Sequence, residues 1–229
     1  MSEWAYNDRP DGFRPLPDRF AEPARGEIED EIWSWVVRGQ DDAGDFLDYL
    51  EDDDSRQGVT DEELTEAYEK ALDVRRAQQR EWGEVRSNLT VAFAELNRLG
   101  VLAREDFACC GTCAATEIHD ERDESRHWHG YLWYHQQDTE SLVASTDGSV
   151  YLGYGAYPPA DFDKAAYDAL TEDEKRSRYL ADVEHMLDDL VFPVLRRHGM
   201  RVEWDRDQAT RILLTGANWY APLATHADR

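Results

Sequence analysis

A change of hydrophobic period midway along the chain constrains the fold more than any single motif. Val85, Leu89, Ala92, Leu96 and Leu99 step by four, three, four and three, the spacing of one buried helix face, and Gly100 stands where such a helix stops. From Gly130 onward the period falls to two, and aromatic and β-branched residues become frequent, as in strands half-buried on a sheet. A helix followed by clustered strands points to an α+β domain.

Residues 130–136, 150–154, 201–204 and 211–215 carry the strand pattern, with 115–119 a weaker fifth. The third and fourth flank Asp205-Arg-Asp-Gln208, and Val202/Trp204 alternate in step with Ile212/Leu214, which predicts an antiparallel hairpin. Two capping boxes, Thr60-x-x-Glu63 and Thr171-x-x-Glu174, open helices whose stripes are Leu64, Tyr68, Ala71, Leu72, Arg75 and Leu180, Val183, Leu187, Leu190, Val194. Pro193 cannot donate to a helical ladder, so a kink is expected near Phe192. Upstream, Ile28, Ile32, Trp35 and Val36 form a helical stripe that stops at Gly39, and Phe46, Leu47 and Leu50 the apolar side of a second, shorter helix. The acidic run at 51–54 reads as a solvated loop, because a calcium loop needs alternating ligands, a central Gly and a bidentate Glu at its twelfth position.

The expected architecture is α+β: a small antiparallel sheet packed by helices on one face, with an N-terminal helical extension. The expected divisions are a mobile extension over 1–25, which holds four prolines and no apolar period, a helical region over 26–83, an α+β core over 84–223 that includes the cysteine-rich turn, and a tail over 224–229.

Charge narrows the partners. Asp and Glu number 50 against 25 Lys and Arg, a net charge of −25, and no basic run is free of interleaved acids. Phosphate backbones and anionic membrane surfaces are recognised by cations, so nucleic acid and membranes are excluded as expected partners, whereas a basic protein partner suits the composition. No apolar run approaches the roughly 20 residues of a membrane helix, and the start of the chain lacks a secretory core, so a cytoplasmic location is expected. An odd number of cysteines close together argues for reduced thiols over a disulfide framework.

Those thiols are the chemistry-bearing feature. All three cysteines lie in Phe107-Ala-Cys-Cys-Gly-Thr-Cys113, and four of the seven histidines (His119, His127, His129, His135) fall within the next 22 residues. Cys110-x-x-Cys113 has the spacing that lets two sulfurs reach one tetrahedral metal, and Cys109 adds a third thiolate, which suits zinc. The fourth ligand is His135, on a strand face shared with Tyr131 and Trp133; His127, His129 and His119 are the other candidates. The site set is therefore Cys109, Cys110, Cys113 and His135. Against it stands simple packing, since a free cysteine behaves as a small hydrophobe and a strand histidine is often only hydrogen-bonded. A thiol enzyme would use Cys110 as nucleophile, His135 as base and Asp138 to orient it. A thioredoxin-like use of the Cys-x-x-Cys pair is disfavoured, because that motif follows a strand and here a helix is expected before it.

Together, Gly100-Val-Leu after a helix, Phe107-x-Cys-Cys-x-x-Cys113, His135-Gln-Gln-Asp-Thr-Glu140, Tyr151-Leu-Gly-Tyr-Gly155, Val202-Glu-Trp204 and Arg211-Ile212 resemble a family of uncharacterised bacterial proteins that carry a domain of unknown function. The resemblance covers about residues 85–219 and implies a fold unit, with no reaction attached; the first eighty residues lie outside it. Two functional classes remain: a non-catalytic binding or interaction protein whose Cys/His cluster holds a structural zinc, and a thiol- or metal-dependent enzyme using Cys110, His135 and Asp138.

Overall fold

The computed structural model describes residues 4–50, 56 and 58–224. Two compact units divide the chain, Met1–Val85 with Tyr220–Arg229 and Arg86–Trp219.

The first unit is helical. Helices α1 (Ala24–Val37), α2 (Ala43–Leu50) and α3 (Asp61–Trp82) bury Ile28, Ile32 and Val36 against Leu64, Ala67, Tyr68 and Leu72, while Phe46 stacks on Tyr68 with ring centroids 5.0 Å apart. The expected box caps α3: Thr60 Oγ1 accepts from the Glu63 N–H, and the Glu63 carboxylate accepts from the Thr60 N–H. Gly83, at φ +67°, closes the helix. Residues 4–23 carry no helix or strand but are tied to these helices. Trp33 Nε1 donates to the Asn7 carbonyl, Phe13 meets the Trp33 ring edge-on, and Leu16 is buried. Glu29 is fully buried on α1, a position tolerable for a carboxylate only when it is paired. Arg25 Nε donates to it at 3.0 Å, Arg14 Nε lies 2.6 Å and Arg9 Nη1 3.7 Å away, and the Leu16 N–H donates to it as well. The acidic run at 51–54 lies outside the described residues.

The second unit is the α+β part. Its sheet has five strands in the order β1 (Val101–Arg104), β2 (Gly130–Trp133), β3 (Val150–Ala156), β5 (Ile212–Thr215), β4 (Arg201–Glu203). The hairpin expected from the Val202 and Leu214 alternation is present, with those two residues opposite each other. One pairing departs from an all-antiparallel sheet: β1 runs parallel to β2, Leu102 opposite Tyr131. A parallel pair requires a long crossover, and the stretch from Glu105 to His129, which contains all three cysteines, supplies it. Residues 115–119, expected as a strand, instead belong to helix α5 (Gly111–Glu117) and the turn after it. Ala114 and Ile118, four apart, are buried together with Leu102, Trp128, Trp133 and Tyr157.

Helix α4 (Asn88–Arg98) is capped by Ser87 and buries Leu89, Ala92 and Leu96 as expected, whereas Leu99 is 43% exposed just beyond its end. Helix α6 (Gln136–Ala144) follows β2, and the five-residue α7 (Lys164–Asp168) follows β3. Helix α8 (Glu172–Met186), opened by the Thr171 and Glu174 box, runs through a π turn (Leu187–Val191) into α9 (Phe192–Arg197). The π turn lies where Pro193 removes a donor and crowds the carbonyl one turn back. Helix α4 packs on α9, and Met186 of α8 fills the space over Gly130. The long helices thus share one face of the sheet, while α5 and the cysteine turn lie on the face of Leu102, Tyr131 and Trp133.

Candidate metal centre

The cysteine turn is held between the end of β1 and the start of α6. Asp106 and Ala108 both adopt positive φ, +49° and +60°, which folds the chain sharply out of β1. The Phe107 N–H donates to the Tyr134 carbonyl at 2.9 Å and the Gln136 N–H to the Ala108 carbonyl at 3.2 Å, stitching the turn to the residues that follow β2. The Cys110 carbonyl then accepts from the Ala114 N–H and starts α5.

This backbone brings the three sulfurs together. Their Sγ atoms all lie within 4.8 Å of one another, and those of Cys109 and Cys113 are 3.5 Å apart. Bonds of roughly 2.3 Å in a tetrahedral zinc site put sulfurs about 3.8 Å apart, so the group matches such a site in scale. Cys109 is exposed; Cys110 and Cys113 are half-buried. The Cys110 thiol is shifted downward, chiefly because the Cys113 N–H donates to it, helped by the Cys113 thiol and the Thr112 N–H. The Cys113 thiol is pushed up to about 12 by Cys109 and Cys110, whose sulfurs crowd it with negative charge. One thiolate is easy here and a second is opposed, unless a cation compensates both.

His135 is not on the strand. Strand β2 ends at Trp133, and His135 is the N-cap of α6, its backbone still extended at φ −105°, ψ 174°. Its Nδ1 lies 3.2 Å from Asp138 N and 3.2 Å from Asp138 Oδ2, while Asp138 Oδ2 accepts from the His135 N–H in return. Nδ1 is thus occupied, and Nε2 lies beside the cysteine turn: a Cβ built on Gly111 would stand 3.5 Å from it. His135 does not fall in the group of mutually close ligand atoms, which comprises the three sulfurs. Its pKa is lowered, by burial first and then by the Arg211 charge, against the pull of Asp138. That favours the neutral imidazole, the form that ligates metals.

Arg211 is the member of this site that the strand pattern did not reveal. Its Nη1 and Nη2 meet Asp138 Oδ1 and Oδ2 at 3.0 and 2.5 Å, it donates to the Tyr151 carbonyl, and its guanidinium lies 5.3 Å from the Trp133 ring centroid. The other histidines turn elsewhere. His119 packs edge-on against Tyr131, and His127 and His129 face each other with ring centroids 5.1 Å apart. Cavities of about 510 and 330 Å³ are lined without any cysteine or histidine. No described helix is long and apolar enough to cross a membrane.

The second unit is an α+β domain with a thiol cluster that could hold a metal ion. The chain belongs to the family described as Domain of unknown function (DUF6891), whose family model matches residues 19–222. The match takes in α1 to α3, so most of the first eighty residues are part of the family unit, where the resemblance began only near residue 85. No curated protein and no solved structure matches the chain.

A helix directly before the cysteines is the expectation that disfavours a thioredoxin-like use of the pair. Strand β1 intervenes, and α5 opens at Gly111, so Cys110-x-x-Cys113 does follow a strand and open a helix.

Proposed function

We propose that the chain is a non-catalytic binding protein whose Cys109, Cys110 and Cys113 turn holds a structural zinc ion, with His135 as the fourth ligand. The convergence of the three sulfurs carries this reading. Three thiolates in so small a volume need a divalent cation, and soft sulfur ligands with an imidazole select zinc. For Nε2 to bind the metal, Nδ1 would carry the ring proton and donate it to Asp138 Oδ2, 3.2 Å away, instead of accepting from the Asp138 N–H, the arrangement by which an outer carboxylate tunes a ligating histidine. The partner would be a basic protein, drawn quickly to a chain of net charge −25 and more slowly as salt is raised.

Metal analysis of protein purified without added metal tests the site. About one zinc per chain is expected in the wild type and none in Cys110→Ser, with partial loss in His135→Ala. Chelation should lower the melting temperature. Metal-free wild-type protein with an unchanged melting curve under chelation would sink the zinc reading.

A thiol-dependent activity is the second reading. What favours it is the lowered Cys110 thiol at a strand-to-helix turn, with the His135 and Asp138 pair nearby. It expects metal-free protein whose Cys110 is alkylated by iodoacetamide at neutral pH much faster than Cys109 or Cys113. Equal rates at all three sulfurs would leave this reading without support.

A further inference from the structure

The last turns of α3 and the segment 220–224 enclose a cavity of about 510 Å³, within the size range of small-molecule sites. It belongs wholly to the first unit. Arg76 and Arg80 line it, and neither charge is well compensated: Arg76 reaches only Asp73, at 4.0 Å, and no carboxylate lies within ion-pair distance of Arg80 among the described residues. Glu84 is the only acid of the lining among the described residues.

A third arginine stands next to the cavity wall. Arg75 is fully buried, with its guanidinium 5.1 Å from the ring centroids of both Trp82 and Tyr220, and Tyr220 is itself a lining residue. Its Nη1 donates to the Tyr6 carbonyl, while Nε and Nη2 have no hydrogen-bond partner among the described residues. Burial draws its pKa down to about 10, which leaves it charged at neutral pH. Gln79 fixes the wall: its Oε1 accepts from the Leu223 N–H at 3.2 Å, and its side chain bonds Tyr220. Val85, Pro222 and Leu223 give the cavity an apolar side.

In a chain of net charge −25, a hollow lined by two arginines, with a third beside its wall and one acid among the described lining residues, is a local positive field, and guanidinium forks match carboxylates in shape. We propose that this cavity binds a small organic monoanion with an apolar body, an aryl or short-chain carboxylate, its charge held by Arg76 and Arg80 and its body against Pro222 and Leu223. The proposal is independent of the zinc reading, since it uses none of the same residues.

Calorimetric titration of the full chain tests it, with benzoate and hexanoate as probes, benzyl alcohol as the uncharged control and inorganic phosphate as the anion without an apolar body. Both carboxylates should bind, benzyl alcohol and phosphate at least tenfold more weakly. Arg76→Ala and Arg80→Ala should each weaken benzoate about tenfold, as expected for losing a charge-assisted contact, while Arg80→Lys keeps part of the affinity. Both side chains reach the surface, and unchanged melting curves verify that the variants fold. No heat from either carboxylate at about 10 mM, a range that reaches even millimolar Kd values, overturns the proposal. Equal affinity in the alanine variants, or phosphate bound more tightly than benzoate, does the same.

Discussion

A Cβ on Gly153 would stand 2.3 Å from Cζ2 of Trp133, far inside the ring's van der Waals surface. The strand glycines at 153 and 155 are there because the Trp133 and Tyr131 rings of β2 lie across them. Gly153→Ala should therefore destabilise by about 2–3 kcal/mol, the cost of overpacking a filled core, measured as a lower urea midpoint at unchanged slope. A loss under about 0.5 kcal/mol would mean the ring relocates freely. Glu105 makes a second residue-scale prediction. Burial raises its pKa above the ordinary 4.5, partly offset by hydrogen bonds from the Thr90 and Tyr134 hydroxyls, with the Asp106 charge acting in the same direction as burial. A carboxyl whose folded pKa is raised binds its proton more tightly in the native state. Its contribution is present below about pH 4.5 and is lost as pH climbs through the raised value. The stability of Glu105→Gln relative to wild type should consequently rise between pH 4 and pH 7, and a constant difference across that range would refute the account.

At the scale of elements, what was legible in the sequence was what is local. The Thr60/Glu63 and Thr171/Glu174 boxes need only residues a few positions apart, and both are present; the first stripe is buried throughout, whereas in the second Leu180 and Leu190 are only half-buried and a π turn interrupts the helix at Leu187. Strand β1 gives no sequence signal because four residues after Gly100 are too few to show a period, and its parallel partner lies 29 positions away in sequence. His135 reads as a strand residue because it continues the Tyr131 and Trp133 alternation; histidine is not a favoured N-cap, although Asp138 at the N3 position is a usable sign. The cysteine cluster was legible from spacing alone, whereas Arg211, 73 positions from the Asp138 it binds, left no local trace. That long-range pair predicts a measurable link between α6 and the start of β5. Asp138→Ala removes both the cap and the partner of a guanidinium only a third exposed, so a loss of about 2–3 kcal/mol is expected, less than for a fully buried pair. Asp138→Asn, which keeps a capping oxygen, should lose roughly half as much. Equal losses in the two variants would mean the cap contributes nothing.

For the whole molecule the decisive quantity is charge. With 50 acids and 25 Lys and Arg, at least 25 carboxylates have no cation to pair with one for one, so net repulsion opposes the folded state. Ion pairs act the other way, but exposed ones such as Lys164 with Asp168 contribute only about 0–1 kcal/mol each. The best-protected pairs, Glu29 with Arg25 and Asp138 with Arg211, are shielded from salt by burial. Salt therefore weakens the repulsion more than it weakens the attractions that matter. The melting temperature should rise as KCl increases from about 10 mM to about 500 mM, over which the screening length contracts from roughly 30 Å to a few ångströms. The sign of the effect is the test: a melting temperature that falls with KCl would mean that exposed ion pairs outweigh the repulsion of the surplus acids, contrary to the charge count.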